Sequence, residues 1–165
     1  MTLKMLVAYG TERGSTREIA DAIGQELQEM GIEVDVSSAR EVKNVAPYDA
    51  VILGGALYAG RWHRDARNLA GRFFKELTER PVWLFSSGPF DDSASERDIP
   101  PVAFVAGLMK TIGARGHVTF GGWLAPDTKG FIARAMAKKL DGDHRDFDQI
   151  RRWAHEVGSE AFTSP

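Results

Sequence analysis

MLVAYGTERGSTR, residues 5 to 17, joins a strand, a loop and the start of a helix in one run. The apolar stretch Met5-Leu6-Val7-Ala8-Tyr9 reads as a fully buried strand and stops at Gly10. Thr11, Gly14, Ser15 and Thr16 follow as a loop of hydroxyls and glycine, and a helical pattern then covers Ser15–Met30. A strand that delivers such a loop to a helix N-terminus builds an anion site. The first N–H groups of the helix have no partner within it, and the macrodipole adds partial positive charge there. The hydroxyls of Thr11, Ser15 and Thr16 are donors for phosphate oxygens, and Gly14 lets the backbone come close. No Lys follows the last Gly, so this is not the nucleotide loop GxxxxGK[ST], and the GxGxxG of a dinucleotide fold is absent as well. Hydroxyls and backbone donors of this kind suit a monophosphate better than a triphosphate. The plainer alternative is that Thr11 or Ser15 caps the helix. Three hydroxyls around one Gly exceed what a cap needs.

Outward from that run, apolar strands and helical patterns alternate. The helix over Ser15–Met30 has Ile19, Ala20, Ile23, Leu27 and Met30 on one face and Gly31 as its stop. Ile32–Val36 reads as a second strand, and Ala50–Leu53 as a third ending at Gly54-Gly55. A helix is expected over Asp65–Thr78, a fourth strand over Val82–Phe85, a helix over Val102–Ile112 closed by Gly113, and a fifth strand over Val118–Leu124. Helices near Gly130–Leu140 and over Phe147–Ala161 complete the chain. Continuous apolar strands between helices imply an α/β fold with a parallel sheet covered on both faces.

Composition narrows the chemistry. The 165 residues, with no repeat and no low-complexity linker, read as one domain spanning 1–165. The absence of cysteine excludes disulfides, thiolate metal sites and thiol nucleophiles. A net charge of −2 gives no field for nucleic acid. No run approaches transmembrane length or the form of a signal peptide, so cytoplasmic residence is expected. Asp141, Asp143, His144 and Asp146 match no ligand spacing, and no metal site is expected.

In such a sheet, ligands bind at the carboxyl ends of the strands. Gly10–Thr16, Gly54–His63 and Ser86–Pro101 all follow strand ends and are expected to converge on one crevice. Tyr58, Trp62 and Phe90 on these loops suit stacking on a planar ring, or else cover the core beneath. This order of elements resembles the flavodoxin-like fold, which implies a five-stranded parallel sheet of order 2-1-3-4-5. TERGST, Thr11–Thr16, resembles the flavodoxin phosphate loop [ST]-x-[ST]-G-x-T; Thr11, Gly14 and Thr16 match it, and Arg13 replaces a hydroxyl. Within that fold the chain is similar to the flavodoxin-type, oxygen-independent protoporphyrinogen dehydrogenases. The second loop, Gly54–His63, and the segment Lys129–Leu140 carry that similarity. The resemblance implies FMN as cofactor. Thr11, Glu12, Arg13, Gly14, Ser15 and Thr16 would hold its phosphate, with Glu12 acting through its backbone. Ala56, Leu57, Tyr58, Ala59 and Gly60 would flank the ring, and Ser87, Gly88, Pro89, Phe90 and Asp91 would lie along its other side.

Between Gly60 and Lys75 stand Arg61, Arg64, Arg67, Arg72 and Lys75 against Asp65. This is either a solvated helix face or a cationic rim beside the ring. As a rim it would stabilise an anionic reduced flavin and raise its potential, and Arg61 and Arg64 would also meet an anionic substrate such as a porphyrin propionate. His63 is either a proton donor or acceptor near the ring or a solvated loop residue. The partners expected are a small-molecule redox substrate or quinone and a redox protein, with a membrane contact through Phe131–Leu140 as the lesser option to packing on the domain. Two rivals stand beside a two-electron oxidoreductase: a one-electron carrier, and a binding or regulatory module that has lost flavin.

Overall fold

The computed structural model describes residues 2–11, 14–88, 99–122, 143 and 145–163. Side chains alternate across β1 (Lys4–Gly10): Met5 and Val7 enter one core, Leu6 and Ala8 the other. Burial on both sides is why the strand is written as an unbroken apolar run. After it come α1 (Ser15–Glu29), β2 (Glu33–Ser38), a 3-10 turn (Ala39–Glu41), β3 (Ala50–Tyr58), β4 (Arg61–Trp62), α2 (Arg64–Arg72) and α3 (Phe74–Thr78). β5 (Val82–Ser87), α4 (Ala103–Ile112), β6 (Gly116–Phe120) and α5 (Phe147–Thr163) complete the order.

The parallel strands run β2-β1-β3-β5-β6, which is the expected 2-1-3-4-5 order of the five long strands. The two-residue β4 is an addition the sequence did not announce, antiparallel to the end of β3. On one face Ile19, Ile23 and Leu27 of α1 meet Ile150, Ala154 and Val157 of α5 above Trp83, Phe85 and Phe120. On the other, Leu69, Leu77, Val105 and Leu108 of α2, α3 and α4 cover Leu6, Leu53 and Leu84. Fully burying one such side chain stabilises the fold by about 1.5–3 kcal/mol.

The third strand does not end at Gly54-Gly55. It runs on to Tyr58, with Gly54 paired to Phe85 and Gly55 to Ser86. The glycines are there because rings cross the strand on both faces. A Cβ on Gly54 would lie 2.0 Å from the Phe85 ring, and one on Gly55 would lie 2.8 Å from the Trp62 indole. The expected helix over Asp65–Thr78 is broken at Phe73, whose φ of −113° and ψ of 28° are not helical. The fifth long strand begins two residues earlier than Val118. The expected helix near Gly130–Leu140, and with it the membrane option at Phe131–Leu140, lies outside the described residues.

Candidate functional site

α1 starts directly after the loop that follows β1. Its N-cap is Gly14, with a φ of +84°, and among the described residues no side chain caps it. A non-glycine residue at that φ is disfavoured, which accounts for the glycine. Of the two residues weighed as an ordinary cap, Ser15 falls inside the helix and not at its N-cap. Ser15 is its first residue and Thr16, fully buried, its second. Thr11 follows β1 and is half-buried; Glu12 and Arg13 lie outside the described residues.

Thr16 ties this loop to the next strand end. Its Oγ1 lies 2.7 Å from Ser87 Oγ at the end of β5, in a buried hydroxyl pair. Ser87 is paired with Ala56 in the sheet. At Gly88, where φ is +116°, a Cβ would come within 3.6 Å of Leu57, and the Gly88 N–H donates to Phe120 O at 3.0 Å. The described starts of the three expected loop regions thus lie together at the carboxyl ends of β1, β3 and β5, the place where open α/β sheets take ligands. Pro89, Phe90 and Asp91 lie outside the described residues.

The second region is a hairpin rather than a loop. Leu57 pairs with Trp62 and Tyr58 with Arg61, leaving Ala59 (φ +52°) and Gly60 (φ +74°) as a two-residue turn. Two positive φ values in a two-residue connection define a type I′ turn, whose twist matches the strands it joins. The turn sends Trp62 inward, where it is 1% exposed and its Nε1 donates to Phe85 O at 3.3 Å. Trp62 is therefore core, and of the aromatic pair only half-buried Tyr58 is left beside the crevice. Its ring meets His63 edge-on, with centroids 5.9 Å apart.

His63 is not a solvated loop residue. It is 6% exposed, and it caps α2: its Nδ1 accepts the Asp65 N–H at 3.1 Å, while its own N–H donates to Ala56 O at 2.8 Å. The cationic segment divides in two. Arg67 Nε donates to Trp62 O and Arg72 to Ala39 O, so these two brace α2 and the 3-10 turn. Arg61 is exposed on the hairpin, and Arg64, with its side chain 70% exposed, lies 3.9 Å from Asp65 at the start of α2.

A further charged group stands behind α1. Arg145, with a side chain only 4% exposed, donates to Ser15 O at 3.2 Å and Glu18 Oε2 at 2.8 Å. It also donates to both carboxylate oxygens of Asp143 and stacks over the Phe147 ring. No local pattern marks this cluster, because Glu18 lies 127 residues away. Of the other residues weighed with Asp143 as metal ligands, Asp146 caps α5 through the Gln149 N–H, and Asp141 and His144 lie outside the described residues. Among the described residues no group of His, Cys, Asp or Glu could hold a metal, and no helix is long and apolar enough to cross a membrane.

A family model described as flavodoxin domain matches residues 6–150. Among curated proteins the chain is similar to protoporphyrinogen IX dehydrogenase (quinone) of Escherichia coli strain K12. It is 29% identical over 86 residues, which cover 51% of this chain and 48% of that protein. The chain thus spans about half the length of the curated relatives it matches. Oxidised flavodoxin 2 from Bacillus cereus superposes with a TM-score of 0.64 at 21% identity, over 95% of this chain and 98% of that one. Rubredoxin oxygen:oxidoreductase from Desulfovibrio gigas also reaches 0.64, at 12% identity, over 97% of this chain and 36% of that one. At these identities the structural likenesses speak to the fold.

Proposed function

This chain belongs to the flavodoxin domain family, and from that premise we propose that it holds FMN at the carboxyl ends of β1, β3 and β5 and works as a redox flavoprotein. The observation that carries the reading is the start of α1. A helix N-terminus with a glycine N-cap and no side-chain cap, set beside a buried Thr16–Ser87 hydroxyl pair, offers donors to a phosphate. Residues 11–16 would hold that phosphate. Leu57, Tyr58, Ala59 and Gly60 would flank the ring on one side, and Ser87 and Gly88 on the other, with Ala56 buried beneath. FMN, when bound, supplies the electron-transfer chemistry, and the protein binds it, orients it and sets the charge around it.

The finer reading is a two-electron oxidoreductase acting on a small molecule, with protoporphyrinogen as substrate and a quinone as acceptor. The identity to the Escherichia coli enzyme over half the chain supports it. So do the exposed Arg61 and Arg64 near the hairpin, whose charges favour an anionic substrate and an electron-rich ring. In this reading His63 holds Tyr58 and the start of α2 in place, and Arg61 meets the substrate.

A visible spectrum of the purified protein, with and without added FMN and followed by photoreduction, tests both levels. Bound flavin with shifted absorption bands, passing straight to the two-electron-reduced form, is expected. A stable one-electron-reduced form would replace the enzyme by a carrier. No uptake from excess FMN would leave a module without flavin.

A further inference from the structure

Arg145 is a buried cation whose guanidinium touches the first residue of the helix that would face the phosphate. Around it lie two carboxylates, Glu18 in the first turn of α1 and Asp143. Among the described residues, Arg145, Glu18 and Asp143 together carry a net charge of −1, and loss of the guanidinium makes any such total more negative by one. A phosphate dianion at the helix start would feel that difference, because the guanidinium, only 4% exposed, is held against Ser15 O at the first residue of α1. Arg17, the other described cation of that turn, is exposed and 3.9 Å from Asp21 on the following turn.

We propose that Arg145 sets the preference of this site for a phosphorylated over an unphosphorylated flavin, by neutralising the carboxylates beside the start of α1 rather than by touching the ligand. The inference rests on the FMN reading above. Arg145 is thus a positioning residue of the charge around the site. Its burial has a second use: fastened to Ser15 O, it keeps the segment at Asp143 against α1.

The test is a fluorescence titration at low salt of the flavin-free protein with FMN and with riboflavin, which lacks the phosphate. Arg145→Met keeps an unbranched apolar stem at this position and removes the charge. The carboxylates it leaves are 56% and 40% exposed, so water takes over their solvation. Arg145→Met is expected to weaken FMN about tenfold while leaving riboflavin within about twofold. Glu18→Gln changes the charge the other way and is expected to tighten FMN about threefold with riboflavin unmoved. Both differences shrink at high salt. A purely structural role for Arg145 would weaken both flavins alike and overturn the proposal. If Arg145→Met does not fold, an unchanged or weakened FMN affinity in Glu18→Gln overturns it alone. Wild-type protein that binds neither flavin overturns the FMN reading itself, whereas wild-type binding with a constant FMN-to-riboflavin ratio across the variants overturns only the role of Arg145.

Discussion

His117 lies on β6 with Nε2 3.1 Å from Ser86 Oγ, and burial takes its pKa from 6.5 down to about 4. The native state therefore keeps this imidazole neutral where the unfolded chain protonates it. Between pH 6.5 and 4 the unfolded state binds more protons, so stability falls as pH drops through that window and is unaffected by this group above it. The gap between the two values caps the loss at about 3 kcal/mol, and water reaching the half-buried ring lowers it toward about 1–2 kcal/mol. Urea midpoints at pH 7 and pH 4.5 should separate more for wild type than for His117→Gln, which keeps a polar atom near Ser86. Equal separations would remove His117 from the account. At this scale the sequence was legible where a residue acts through its own neighbours, as Gly14 does. It was silent where the partner is far along the chain: neither the Thr16–Ser87 pair nor the hold of Arg145 on Glu18 has a local signature. His63 falls between, since a histidine two residues before Asp65 was visible but its cap on α2 was not.

The β3–β4 hairpin turns on Ala59, a residue with a side chain in a left-handed conformation that costs it about 1–2 kcal/mol relative to glycine. Asparagine tolerates that conformation better, and Asn-Gly is the preferred pair of a type I′ turn. Ala59→Asn should therefore stabilise the protein by about 0.5–1 kcal/mol, and Ala59→Val should destabilise it by about 1–2 kcal/mol. Urea unfolding of the two variants checks the opposite signs, and two changes of the same sign would mean the turn is not set as described. The same hairpin shows why element boundaries were harder to read than elements. Gly54-Gly55 looks like punctuation in one dimension. In the sheet it is space for Phe85 and Trp62, which come from elsewhere in the chain.

The order of the five long strands and the two-sided cover of helices were readable at the scale of the molecule, because buried parallel strands and amphipathic helices impose separate periodicities. Binding to that whole surface has a thermodynamic consequence. FMN in thousandfold excess over its dissociation constant should stabilise the protein by about 4 kcal/mol and raise Tm by about ten degrees. Thermal melts with and without FMN measure this; an unchanged Tm would mean that the folded state does not hold it. The position of the Thr16–Ser87 bond also bears on how the protein is made. The described walls of the crevice come from the first 88 residues, yet α1, which begins one wall, rests on Ile150, Ala154 and Val157 of the last helix. A chain still on the ribosome has already synthesised the crevice but not the helix that holds it upright. If the site is the one proposed, cofactor capture therefore waits for α5, and a chain cut short before that helix should fail to take up FMN although it carries residues 11–16.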